Sequence, residues 1–126
     1  MPIVEEYLTA DGRNHYRDWF MGLAAPAAAK TASAVARMAA GNTSNLKGIS
    51  AGLAEWRIDW GPGLRIYVHQ DGADLILLLG GSDKSGQASQ IKAAAALLAE
   101  YKQRKKAAGQ VPTKDDRRRR RKATGK

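Results

Sequence analysis

Arg57 and Arg65 are the residues of this chain best suited to chemistry. They lie in the stretch Glu55–His69, which reads EWRIDWGPGLRIYVH, two alternating runs on either side of Gly61-Pro62-Gly63. Successive side chains of a strand point to opposite faces, so folding the stretch about that turn sorts them. One face would hold Trp60 beside Leu64, Ile58 beside Ile66 and Trp56 beside Val68. The other would hold Asp59 beside Arg65, Arg57 beside Tyr67 and Glu55 beside His69. The first set is a core surface. The second is a compact polar patch able to bind and work on a phosphodiester. A guanidinium is planar, stays protonated and matches phosphate oxygens with paired donors. His69 is the group on this patch whose ordinary titration lies near neutrality, and Glu55 and Tyr67 are the other candidates for proton transfer.

The elements that must hold this patch are legible in outline. Ile3 to Leu8 reads as a short edge strand. Asp11 and Asn14 offer helix caps. Tyr16, Trp19, Phe20 and Leu23 then recur as one helical stripe. Pro26 suits the first turn of a second, alanine-rich helix that runs through Met38 and stops at Gly41-Asn42. Asn42 to Gly52 reads as a loop carrying Lys47. After the hairpin, Asp71-Gly72 marks a turn. Leu75 to Leu79 is an unbroken apolar run, as in a strand buried on both faces. Ser85 can cap a last helix with the stripe Ile91, Ala94, Ala95 and Leu98, running to about Lys106. The order is strand, helix, helix, three strands, helix, which predicts an α+β domain with an antiparallel meander on a helical pair.

Composition narrows the function classes. The chain has 126 residues and no cysteine, which excludes disulfides and thiolate metal sites. Its two histidines, His15 and His69, are far apart in sequence and suggest no metal site. Glu5 and Glu6 stand where a signal peptide needs an apolar run, and no stretch approaches a membrane span, so a cytoplasmic protein without membrane contact is expected. The formal net charge of +9 is unevenly spread. Residues 101–126 hold 12 Lys and Arg against Asp115 and Asp116, while residues 1–100 hold 9 against 10 acidic residues. The sequence thus divides into a nearly neutral domain over 1–108 and a basic tail over 109–126, with six consecutive basic residues from Arg117 to Lys122. Such a tail predicts weak RNA affinity without sequence choice.

Five segments in order, EEYLTADGR, RMAAGNTSNLKGI, EWRIDWGPGLRIYV, LILLLGGSDKSGQ and AEYKQRKK, resemble the RelE/ParE superfamily of type II toxins, in particular its HigB-like addiction-module-killer branch. The likeness covers residues 1–106. It implies an α+β fold of two N-terminal helices packed on a small twisted antiparallel sheet, with a C-terminal helix. It also implies a cognate antitoxin, of the helix-turn-helix kind, as partner. In the RelE-like branch it implies metal-independent cleavage of mRNA on the ribosome, with no cofactor. There the 2′-hydroxyl attacks the adjacent phosphate. On this reading Arg57, Arg65, Lys84 and His69 are the catalytic candidates, and Lys47, Arg57, Tyr67 and Lys84 contact RNA. Asp59 occupies a position where RNA-cleaving relatives carry lysine, and Gln87 and Gln90 stand where some carry a catalytic tyrosine or histidine. Two alternatives stay open: a ParE-like inhibitor that binds DNA gyrase, and a catalytically silent relative that binds its antitoxin.

Overall fold

A computed structural model describes residues 1–110. The elements in chain order are β1 (Ile3–Glu6), α1 (His15–Met21), α2 (Ala25–Ala39), β2 (Leu46–Ser50), β3 (Leu53–Ile58), β4 (Leu64–Asp71), β5 (Leu75–Asp83) and α3 (Gln87–Gln110). The strands form one sheet in the order β1-β5-β4-β3-β2. β1 is parallel to β5, and the other pairings are antiparallel.

This corrects the expected fold. The small antiparallel sheet under two N-terminal helices is instead a five-stranded mixed sheet, which the expected leading strand joins as a parallel edge. Two segments account for the difference. Ile3–Glu6 lies alongside Leu75–Leu78 in parallel register, because the α1–α2 connection carries the chain across the sheet before it returns as β2. Leu46–Ser50, expected as loop, is the opposite edge strand. Its glycine, exposed polar residues and register break between Gly48 and Ser50 hide the alternation that marks a strand.

The helices begin and end for local reasons. The Asn14 side chain accepts the Arg17 amide at 2.8 Å and caps α1. α2 carries Pro26 in its first turn. It closes in a Schellman arrangement, with the Gly41 amide on the Met38 carbonyl, the Asn42 amide on the Arg37 carbonyl, and Gly41 at φ +91°. Ahead of α3, the Ser85 hydroxyl turns back to Asp83 instead of capping the helix, and Asp83 fixes the turn that leads into Gln87. Asp83 Oδ1 accepts the Gly86 amide at 2.9 Å and the Ser85 hydroxyl at 2.7 Å, and these bonds, the Ser85 one foremost, lower its pKa. α3 continues past Lys106 to Gln110, so it crosses the expected domain end at 108. Arg117–Lys122 lies outside the described residues.

The sheet is covered on both faces. Tyr16, Ala34 and Met38 of α1 and α2 pack with Trp56, Ile66, Val68, Ile76 and Leu78. On the other face Ala94 and Leu98 of α3 pack with Tyr7, Leu53, Tyr67, Leu77 and Leu79. The apolar run in β5 therefore serves both cores, Ile76 and Leu78 one and Leu77 and Leu79 the other. Each fully buried aliphatic side chain of this kind contributes about 1.5–3 kcal/mol. α3 runs back over the sheet from the end of β5. Its second half is tied down by Tyr101 and Lys105 to Asp71 and by Lys102 to the Ala51 carbonyl.

Candidate functional site

The β3–β4 hairpin places the arginines, in a register two residues away from the expected one. Ile58 pairs with Leu64, Arg57 with Arg65, Trp56 with Ile66 and Glu55 with Tyr67. The connection is longer than Gly61-Pro62-Gly63. It spans residues 59–63 and closes through the Gly63 amide on the Trp60 carbonyl at 2.9 Å, with Gly61 and Gly63 at φ +55° and +79°. A two-residue shift keeps every side chain on its face, since the strand period is two. It changes the neighbours. Arg57 faces Arg65 instead of Tyr67, and Trp60 sits in the turn instead of pairing with Leu64.

Two like charges directly opposite on neighbouring strands repel. Glu55, on the same face, compensates. Its carboxylate lies 3.4 Å from Arg57 Nε and 3.5 Å from Arg65 Nε, and it is only 4% exposed. Arg65 is 8% exposed, and its Nε makes no hydrogen bond among the described residues. The Arg57 side chain is 55% exposed. Arg57 and Arg65, with Asp59, the Gly61-Pro62-Gly63 turn and Lys84, line an open cleft of about 430 Å³. Gly63 is required by its φ of +79° and not by crowding, since a β-carbon there would make only ordinary contact, 3.9 Å from Arg65 Nη1 and from Lys84 Cβ.

The other candidates part company. His69 is four residues along β4 from Arg65, a rise of roughly 13 Å. There its Nδ1 bonds the Gly52 carbonyl at 2.7 Å and its ring tilts against Tyr101. That placement is structural and removes His69 from the arginine cleft. Tyr67 is fully buried, its hydroxyl 2.8 Å from Ser82 Oγ, and burial raises its pKa against the opposing Ser82 bond. It cannot stack a base. Lys47 is exposed on β2, paired with Glu55 and so beside the cluster rather than in the cleft. Arg57, Arg65 and Lys84 are thus the expected residues that come together.

Sequence reasoning under-weighted Glu55, the carboxylate shared by both arginines. It also passed over Lys30, Ser33 and Arg37 of α2. These form a polar stripe beside the buried positions Ala27, Thr31, Ala34 and Met38. That stripe is readable from helical periodicity once the buried face is known.

The arrangement can hold an anion with planar, charge-assisted donors from two strands and a lysine opposite them. Among the described residues no helix is long and apolar enough to cross a membrane. No family model matches the chain. Over 68 residues it is 40% identical to a protein of Haemophilus influenzae described as uncharacterized, an alignment covering 54% of this chain and 69% of that protein. The chain belongs to the family of that protein, whose description states no activity.

Proposed function

We propose that this protein is the toxin of a type II toxin–antitoxin pair, a RelE/ParE-like, HigB-branch endoribonuclease that cuts mRNA on the ribosome in the cytoplasm. The observation that carries the reading is the facing pair Arg57–Arg65, balanced by one buried carboxylate and open to a cleft that Lys84 also lines. The five sequence segments that resemble the superfamily support it.

In the proposed reaction the 2′-oxygen of a messenger ribose attacks the neighbouring phosphorus. The P–O5′ bond breaks, leaving a 2′,3′-cyclic phosphate and a 5′-hydroxyl. The 2′-hydroxyl gives up its proton to water or to the ribosome, and the leaving oxygen takes one from the same sources. The chain's own contribution is charge. Arg57, Arg65 and Lys84 hold the phosphate and stabilise the extra negative charge of the five-coordinate transition state. Preorganised donors of this type are worth about 3 kcal/mol each. Glu55 is a positioning residue that keeps two guanidinium groups together. A cognate helix-turn-helix antitoxin neutralises the protein.

The test is end mapping on a message translated in vitro with the protein added. New 5′-hydroxyl ends inside codons, dependent on ribosomes, are expected. Intact message together with blocked gyrase supercoiling would replace this reading with a ParE-like one.

A further inference from the structure

A second cleft lies on the other side of the β3 margin. β2 begins at Leu46, opposite Trp56, so Arg57 and Ile58 lack a strand partner on the β2 side, and Asp59 follows them into the turn. This margin separates the arginine cleft from one of about 280 Å³ between α2 and β3, lined by Lys30, Ser33, Arg37 and Asn45 over a floor of Ala34 and Trp56. Arg57, Ile58 and Asp59 line both. Lys30 and Arg37 are two turns apart on one side of α2, a rise of about 10 Å. Among the described residues neither lies within salt-bridge distance of a carboxylate.

We propose that the α2–β3 cleft is a second backbone-binding subsite for single-stranded RNA, so that one strand crosses the β3 edge with phosphates on Lys30 and Arg37 on one side and on Arg65 and Lys84 on the other. The inference rests on the RNA reading of the first cleft and extends it. Arg57 is common to both clefts and gives the crossing strand a continuous positive path. Because the two clefts open on opposite faces of the sheet margin, the ligand must wrap an edge. A duplex stiff over about 150 base pairs does not follow such a turn, whereas a single strand does. Asp59, the one carboxylate among the described residues that lines either cleft, repels a phosphate but accepts a hydrogen bond from a ribose 2′-hydroxyl.

The test uses the full chain, fluorescent ribo-oligomers of three and ten nucleotides, and anisotropy titrations across a salt series without ribosomes. The basic tail is present in every variant, so only differences are read. Lys30→Gln/Arg37→Gln is expected to weaken decamer binding on the order of tenfold and to make the salt slope shallower by about 1.4, or 0.7 for each lost contact to a single strand. Trimer binding should be unchanged. Lys30→Arg/Arg37→Lys should bind both oligomers as the parent does. Arg65→Ala should weaken both. Decamer binding equal in the parent and the Gln double variant, with Arg65→Ala still weakened, overturns the second subsite and leaves the first cleft standing. So does equal loss for trimer and decamer. A parent that binds neither oligomer, or binds both as well after Arg65→Ala, overturns the RNA reading and this inference with it. Displacement of the decamer by a polyglutamate peptide or a hairpin duplex of equal charge overturns the single-strand assignment.

Discussion

Arg65 is the most enclosed charge of the arginine cleft, and Glu55 is the reason it can stand where it does. A guanidinium with one-tenth of its side chain exposed needs a counter-charge, and Glu55 is the carboxylate within 4 Å. Removing one member of a fully enclosed ion pair costs about 3–5 kcal/mol, because the other charge is left buried alone. Arg65 opens to a cleft, so the smaller figure of about 2 kcal/mol is appropriate for Glu55→Gln. Urea denaturation should show this as a lower midpoint with an unchanged slope. A glutamine variant as stable as the parent would mean the carboxylate does not hold the pair. The arginines and their shared face were legible from residue types and the two-residue period. Their direct opposition was not, because the register depends on where the Trp60–Gly63 turn closes, and Gly61, Pro62 and Gly63 permit more than one closure. His69 read as a proton-transfer group because it lies on the same face. A face gives no distance along the strand, and the Gly52 carbonyl claims its ring.

Among elements, α1 meets β5 where Trp19 covers Gly81. A β-carbon at Gly81 would overlap the six-membered ring of Trp19, and the helix lies on β5 at this point. Gly81→Ala must push Trp19 or α1 away from the sheet and is expected to cost about 1–3 kcal/mol, read as a lowered Tm. An unshifted Tm would show that the ring has room to move. The second half of α3 is held partly by charge. Asp71 receives Lys105 Nζ at 2.7 Å and the Tyr101 hydroxyl, and these bonds, Lys105 first, hold its pKa below the ordinary 3.8. A carboxylate with a lowered folded-state pKa stabilises the fold above its unfolded value, and the contribution disappears as pH falls through the folded one. The Tm difference between the parent and Asp71→Asn should therefore be full at pH 6 and close as pH drops from about 4 toward 2. A difference independent of pH in that range would assign the effect to shape instead of charge. The strand at Leu46–Ser50 was invisible in sequence for an equally local reason. An edge strand on a sheet margin has one paired side, an exposed glycine and a register break, so it lacks the apolar alternation by which strands are recognised.

At the scale of the whole molecule, helices cover both faces of the mixed sheet. α1 and α2 pack on one face and α3 on the other; the β3 margin with the hairpin turn stays open, and so does a cleft of about 530 Å³ beside β1, lined by Tyr7, Leu75, Leu77, Tyr101 and Arg104. The parallel β1–β5 pairing could not be read from the sequence. It joins residues more than 70 positions apart, and nothing local in Ile3–Glu6 distinguishes a parallel from an antiparallel partner. Both cores were nonetheless foreshadowed by the Tyr16, Trp19, Phe20 stripe and by Leu75–Leu79. In the proposed reaction Arg57, Arg65 and Lys84 act together on a phosphodiester in transition. The most direct test of that joint action is the single-turnover rate of message cleavage on programmed ribosomes, parent against Arg65→Ala, with matched thermal melts to establish that both are folded. A loss of about a hundredfold or more is expected in the variant. An unchanged rate in a folded Arg65→Ala protein would contradict that joint action.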